Sequence, residues 1–398
     1  MLRFKADDGS EFPAWEEKTL GDVGTVKMCK RVLKEQTSEE GEIPFYKIGT
    51  FGGTPDAFIS RELYEELKTK YSFPRKGNIL LSASGTIGRT VIYDGQDAFF
   101  QDSNIVWLDT DSSILDEFLF QFYNKTSWNN LEGGTIKRLY NGLFLSKVIY
   151  LPSLPEQKKI AEFLSVIDVV IEKQKETVAA WEERKKGVMQ KLFRQEVRFK
   201  ADDGSMFPEW KKKKFGDTVF IERGGSPRPI EKYITNDEGG FNWIKIGDAP
   251  QYGNHITYTE QKIIPEGLKK TRRVYAGDLI LSNSMSFGKP YILDIDGCIH
   301  DGWLLIRDEK NNYNKMYLCY LLGTEYMLKQ YKKFAAGTGV NNLNKELVSN
   351  TETLVPCIAE QKKIADCLTS FDDVIEKQKA TLVAWEEMKK GLLQQMFV

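Results

Sequence analysis

Two stretches decide the fold: EQKKIAEFLSVIDVVIEKQKETVAAWEERKKG at 156–187 and EQKKIADCLTSFDDVIEKQKATLVAWEEMKKG at 360–391. In the first, Ile160, Leu164, Ile167, Ile171, Gln174, Val178 and Trp181 follow one another in alternating steps of four and three, and Lys185, Val188 and Leu192 continue the rhythm. The second carries Ile364, Leu368, Phe371, Ile375, Gln378, Leu382 and Trp385 in the same phase, then Lys389, Leu392 and Met396. Such spacing is the seam of a coiled coil. Pro155 and Pro356 precede the two runs, where a helix start tolerates proline. About 38 residues of helix extend roughly 57 Å, and an apolar stripe of that length needs a partner. A parallel pair in register would crowd Trp181 against Trp385. An antiparallel pair sets Leu164 against Trp385 and Trp181 against Leu368, with Gln174 and Gln378 near the centre against Ile375 and Ile171. The antiparallel intramolecular coiled coil is therefore the expectation. Gly187 and Gly391, inside the helices, lower stability by about 1 kcal/mol each relative to alanine. Either the close approach of a partner or a local bend accounts for them.

The repetition extends outward. RFKADDGSEFPAW (3–15) returns as RFKADDGSMFPEW (198–210). Between strip and helix the two middles have diverged, yet FYKIG (45–49) echoes WIKIG (243–247), and GNILLSASGTIG (77–88) echoes GDLILSNSMSFG (277–288). NILLSAS, TVIYD and SNIVWLDT read as strands in the first middle, as do FNWIKIG, DLILSNS, PYILDID and WLLIRD in the second. Residues 114–128 and 315–334 read as helices. Two similar α+β domains follow, each a twisted sheet with helices, related by a pseudo-two-fold axis. Residues 1–152 form the first, 153–195 the first long helix, 196–355 the second domain and 356–398 the second long helix.

Composition sets bounds on function. The chain has 398 residues, 41% of them hydrophobic and 12% aromatic, enough for two packed cores. The five cysteines (29, 298, 319, 357 and 367) are scattered, without a C-x-x-C pair, which points to a reducing cytoplasm. No signal-type segment opens the sequence, and no apolar run reaches the ~18 residues that a membrane span needs. Net charge is −1, but the basic residues cluster in 25–34, 211–232 and 269–275, so a basic patch is compatible with a neutral whole. Catalytic vocabulary is thin. The two histidines, His255 and His300, have no clustered ligands near them in sequence. SNSMSFGKP lacks the glycine spacing of a phosphate loop, and no G-x-S-x-G elbow is present. The pattern is that of a binding protein without catalysis or metal of its own. A coiled-coil scaffold bearing two domains for non-DNA ligands satisfies it as well.

Two divergent domains, two near-identical heptad helices opening E-Q-K-K-I-A, and G-[ND]-[IL]-[LI]-L-S-x-S in each middle resemble the specificity subunit of type I restriction–modification enzymes. The resemblance covers essentially the whole chain. It implies two target recognition domains, each reading one half of a bipartite, asymmetric DNA sequence, and a helical pair that sets the spacer. It also implies a non-catalytic subunit that docks methyltransferase subunits, expected as two, alongside restriction–translocase subunits. S-adenosylmethionine, ATP and Mg are then expected on those partners and no cofactor on this chain.

Sequence-specific readers are expected among Arg, Asn, Gln, Lys and Ser/Thr on loops, and further cations on phosphate. In the first domain the candidates are Lys27, Lys30, Arg31 and Lys34, then Thr135, Lys137, Arg138 and Asn141. In the second they are Arg223, Ser226, Arg228 and Lys232, then Thr338, Asn341 and Asn342. Ser84, Arg89, Ser284 and Lys289, which follow the echoed strands, are secondary candidates.

Overall fold

The computed structural model describes residues 2–128, 138–250, 253–283, 287–336 and 342–397. The chain divides into two compact units, residues 1–175 with 380–398, and residues 176–379. The boundary falls within both long helices, Leu154–Phe193 and Ile358–Met396. Each unit therefore owns the beginning of one helix and the end of the other.

In the first unit the three strands expected over 78–110 join an unexpected one, Gly24–Lys27, in a four-stranded antiparallel sheet, in the order Gly24–Lys27, Ile105–Thr110, Ile79–Ser82, Thr90–Ile92. A three-stranded sheet places Ile43–Tyr46 between Phe58–Ile59 and Phe99–Phe100. The second unit enlarges the same plan. Phe220–Arg223, Trp303–Arg307, Leu279–Ser282, Pro290–Leu293 and His255–Ile256 form one sheet, and a further five-stranded sheet is built around Phe241–Ile244. Helices Asp116–Lys125 and Lys315–Leu322 occupy matching places. The single helix expected over 315–334 is two, Lys315–Leu322 and Glu325–Ala336. Thr324 separates them by donating its hydroxyl to Leu321 O and accepting the Met327 N–H, the role of an N-cap.

All but the first lysine of the repeated E-Q-K-K-I-A have a structural task. The Glu156 carboxylate is fully buried. It accepts two hydrogen bonds from the Arg3 guanidinium (3.0 and 2.8 Å) and one from the Trp15 indole (3.0 Å). Glu360 takes Arg198 (3.0 and 2.7 Å) and Trp210 (3.0 Å) in the same way. Gln157 donates to Ser113 O and Pro152 O and accepts from Leu115 N, while Gln361 repeats this with Asn312 O, Pro356 O and Asn314 N. Lys159 and Lys363 donate to the carbonyls of Lys5 and Lys200. Ile160 and Ala161, like Ile364 and Ala365, enter the core. The repeated strip is thus a clasp that fixes each helix start to its domain. Where the first long helix runs on into its strip, the Val197 N–H bonds to Lys191 O; at the corresponding place Leu2 N–H bonds to Gln395 O.

Within each unit the two helix segments run antiparallel. In the first, Asp168 pairs with Lys389 and Lys175 with Glu386; in the second, Glu182 pairs with Lys379 and Lys185 with Asp372. The register differs from the expected one. Trp181 makes its ring contact with Phe371 (centroids 6.0 Å apart), one turn from Leu368. Apolar spacing alone leaves such shifts undecided, and the Lys–Asp pairs select among them: Asp372 also accepts from Tyr320 (2.6 Å), and Asp168 from Gln121 (2.9 Å). The seam also serves the domain cores. Ile160, Leu164, Ile167 and Ile171 pack with Phe118, Phe122 and Ile149 and with Leu393, Met396 and Phe397 from the end of the second helix. Ile364 and Leu368 join Leu192, Tyr317 and Trp210 likewise. A Cβ added at Gly187 or Gly391 meets open space.

Candidate nucleic-acid interface

Matching strand registers place equivalent loops side by side in sequence. Lys27 pairs with Trp107 and Ser82 with Ile105, while Glu222 pairs with Leu305 and Ser282 with Trp303. Hence Arg31 corresponds to Ser226, Met28 to Arg223 and Cys29 to Gly224. The loop before each of the strands Ile105–Thr110 and Trp303–Arg307 carries one aspartate, Asp102 or Asp301, and both units build a polar site around it.

In the first unit, Arg31 donates from Nε to Asp102 Oδ2 at 3.1 Å while its side chain stays 69% exposed. Ser103 has a left-handed backbone (φ 62°), and its carbonyl accepts from Arg138 Nη2 at 2.7 Å. Ser103 N–H approaches the Met28 sulfur at 3.3 Å. Ser84 Oγ donates to Asn104 Oδ1 at 2.8 Å, and a backbone bridge joins Ser84 to Arg138. The echoed strand ends in a turn held by one hydroxyl: Ser82 Oγ accepts the Arg89 N–H and donates to Thr86 O. Ser282 holds Lys289 N–H equivalently, at 2.9 Å.

In the second unit, Ser226 Oγ donates to Asp301 Oδ1 (2.7 Å), and Arg223 Nε donates to the Asp301 carbonyl (3.2 Å). Buried Asn283 also donates to that carbonyl (2.8 Å). Gly302 N–H donates to His300 Nδ1 at 2.9 Å, so Nε2 carries the hydrogen that meets Asp301 Oδ1 at 3.0 Å. Burial pushes His300 below the usual imidazole range; Asp301 opposes this, and Arg228, Lys245 and Arg223 reinforce it. Burial works against ionisation of Asp301, yet the Ser226 hydroxyl, His300 and Arg223 hold its carboxyl below the usual carboxylate range. Ser226 meets the aspartate rather than the histidine, so the serine–histidine pairing of a catalytic triad is not formed here. A cleft of about 810 Å³ opens here, lined by Arg228, Trp243, Lys245, Gln261 and His300. Among the described residues no group of three His, Cys, Asp or Glu side chains is placed to hold a metal ion, and no helix is long and apolar enough to cross a membrane.

Residues 14–179 and again 208–383 match the family model of the type I restriction modification DNA specificity domain. The chain belongs to that family. A putative type I restriction enzyme specificity subunit of Haemophilus influenzae is 57% identical over 38% of this chain, which spans 40% of that relative's length. The MjaVIII specificity subunit of Methanocaldococcus jannaschii is 26% identical over 98% of this chain and 94% of its own. The crystal structure of the type I restriction–modification S subunit from M. genitalium shares the fold, with a TM-score of 0.57 at 16% identity, covering 100% of this chain and 99% of that one.

Of the residues singled out by sequence in this specificity-domain protein, the structure gathers Arg31, Arg138 and Ser84 around one aspartate loop and Arg223, Ser226 and Arg228 around the other. Asn342 occupies the place of Arg138, since Leu343 bonds to Asn283 O as Leu139 bonds to Ala83 O. Lys27 is half-buried at the end of its strand, Lys30 lies over the Tyr71 ring (4.6 Å), and Lys34 and Lys232 are exposed. Asn141 is exposed at the start of helix Asn141–Leu145. Arg89 donates to Phe51 O, and Lys289 lies over Tyr291. Thr135, Lys137, Ser284, Thr338 and Asn341 lie outside the described residues. Sequence reading missed Asp102, Asn104, Asp301 and the part played by His300. The signal was present: FFQDSN and CIHDGW each interrupt apolar sequence with a polar aspartate turn at matching points of the repeat.

Proposed function

We infer that this chain is the DNA-specificity subunit of a type I restriction–modification complex, in which each unit reads one half of a bipartite target. The observation that carries this reading is the double family match combined with two equivalent aspartate loops that present different side chains. Like frames with unlike loops suit an asymmetric target with two different half-sites. Loop arginines, serines and asparagines serve base edges, and Lys27, Lys30, Lys34 and Lys232 serve phosphates. Both long helices pass by chain connectivity from one unit into the other, which makes them the element suited to set the interval between half-sites. Catalysis, S-adenosylmethionine, ATP and Mg then belong to methyltransferase and restriction subunits docked on this one, in the cytoplasm.

Co-expression with a methyltransferase subunit from the same system, followed by genome-wide methylation mapping, tests the reading. The expected result is one bipartite motif, with affinity for DNA falling steeply as salt rises. Exchanging residues 25–150 for those of another family member should alter one half-site only. Methylation without sequence preference would refute the reading and favour a scaffold for other ligands.

A further inference from the structure

In both units an arginine is anchored through Nε to the aspartate residue of the loop: Arg31 to the Asp102 carboxylate and Arg223 to the Asp301 carbonyl. Anchoring at Nε fixes the plane of the guanidinium and leaves the two Nη groups uncommitted. Neither arginine makes a further hydrogen bond or ion pair among the described residues, and both are exposed. A planar pair of donors held by a rigid neighbour matches a planar pair of acceptors. In the major groove only guanine offers that pair on one base, at O6 and N7. A lysine or an untethered arginine suits phosphate as well, but the tether restricts these two to one direction.

We propose that Arg31 and Arg223 each read a guanine through both Nη groups, one in each half-site, with Asp102 and the Asp301 carbonyl as positioning groups. The proposal rests on the reading of the chain as a DNA-specificity subunit and adds the base that is read and the atoms that read it. The arginines stand at non-equivalent places. Position 31 of the first unit is serine in the second, and position 223 of the second is methionine in the first. The guanines therefore fall at different points of the two half-sites.

Methylation by the assembled complex is mapped for the wild type, Arg31→Ala, Arg31→Lys, Asp102→Ala and Arg223→Ala. Arg31→Ala and Arg31→Lys should each lower discrimination for guanine at one position of one half-site by about 5- to 100-fold, leaving the other half-site intact. Asp102→Ala should relax the same position, an effect that mere loop support would not confine to one base pair. Arg223→Ala should relax one position of the other half-site. Replacing that guanine by 7-deazaguanine should weaken binding by the wild type and not by the alanine variant. An unchanged motif in the variants overturns the proposal. So does a uniform loss at all sites with a shallower salt dependence, the mark of a phosphate contact. A wild-type complex that methylates without preference overturns the underlying reading instead.

Discussion

The two units share their frame and differ in what the frame presents. Arg3–Glu156–Trp15 and Arg198–Glu360–Trp210 superpose role for role, as do Gln157 and Gln361. Around the aspartate loops the correspondence breaks: Arg31 stands for Ser226, Met28 for Arg223, Gln101 for His300 and Cys29 for Gly224. Identity is retained where a side chain is buried among partners from distant parts of the chain, and a substitution there leaves a charge unpaired. It lapses where the side chain projects from a loop whose backbone is held by other groups.

The largest expected effect lies in the frame. Glu156→Ala and Glu360→Ala each leave a guanidinium and an indole without their shared acceptor. The arginines keep their backbone carbonyl acceptors, so each substitution should cost about 3 kcal/mol of its own unit's stability, read from urea denaturation. The comparison predicts similar losses. A loss confined to one variant would show that the two clasps are alike in geometry but not in energy.

Next is the glycine that distinguishes the surroundings of the two aspartate loops. A Cβ at Gly224 would lie 2.1 Å from His300 O, whereas its counterpart Cys29 is a buried side chain whose thiol burial pushes up to about 12. Gly224→Ala should therefore displace the 300–302 loop, costing about 2 kcal/mol, and impair recognition of one half-site. Cys29→Gly should leave the other loop in place at a smaller cost. If Gly224→Ala binds with unchanged preference, the close approach of backbone to backbone is not what shapes the second loop.

Most elements that form the frame were legible in the sequence because they are local or periodic: the heptads, the echoed G-[ND]-[IL]-[LI]-L-S strands and the strips. The site was legible only in half. Arg31 stands in a recognisable basic stretch and Ser226 in a basic, glycine-bearing one, but the aspartates that orient them lie in loops remote in sequence, marked by no more than a polar turn between apolar segments. The helix register was not legible, because seven-residue spacing is satisfied by several shifts and the deciding contacts, Asp168 to Lys389 with Gln121 and Asp372 to Lys185 with Tyr320, involve a third element from the domain. Nor was the division into units, since a helix that is continuous in sequence serves two cores.

Smaller still is the effect at the interior helix glycines. Gly187→Ala and Gly391→Ala should each stabilise by about 0.5–1 kcal/mol, since open space surrounds both and alanine is the better helix former. Equal gains in the isolated chain with unimpaired assembly would show that neither glycine serves a partner. A gain accompanied by loss of methyltransferase subunits at one of the two would identify a docking face that the units do not share.

The mildest test concerns acid. Gln101 does not titrate; His300, at the corresponding place, does, and burial with nearby Arg228, Lys245 and Arg223 holds it below the usual imidazole range despite Asp301. Well above the ordinary histidine value it is neutral in both folded and unfolded chains and contributes no pH dependence. As pH falls through the ordinary histidine value, the unfolded chain takes up the proton first, so stability declines down to the lower folded value. The side chain is partly exposed, and solvent screening keeps the decline small. Protonation would turn the Nδ1 that accepts from Gly302 into a donor facing a donor, loosening the turn that carries Asp301 and, through its carbonyl, Arg223. Recognition of one half-site should therefore weaken as pH falls below the ordinary histidine range while the other holds, and His300→Gln, which installs the other unit's residue, should remove the difference. Methylation assays from pH 5.5 to 7.5 on separately mutated half-sites read this directly. Equal acid sensitivity at both half-sites would place the titrating group outside the loop that distinguishes them.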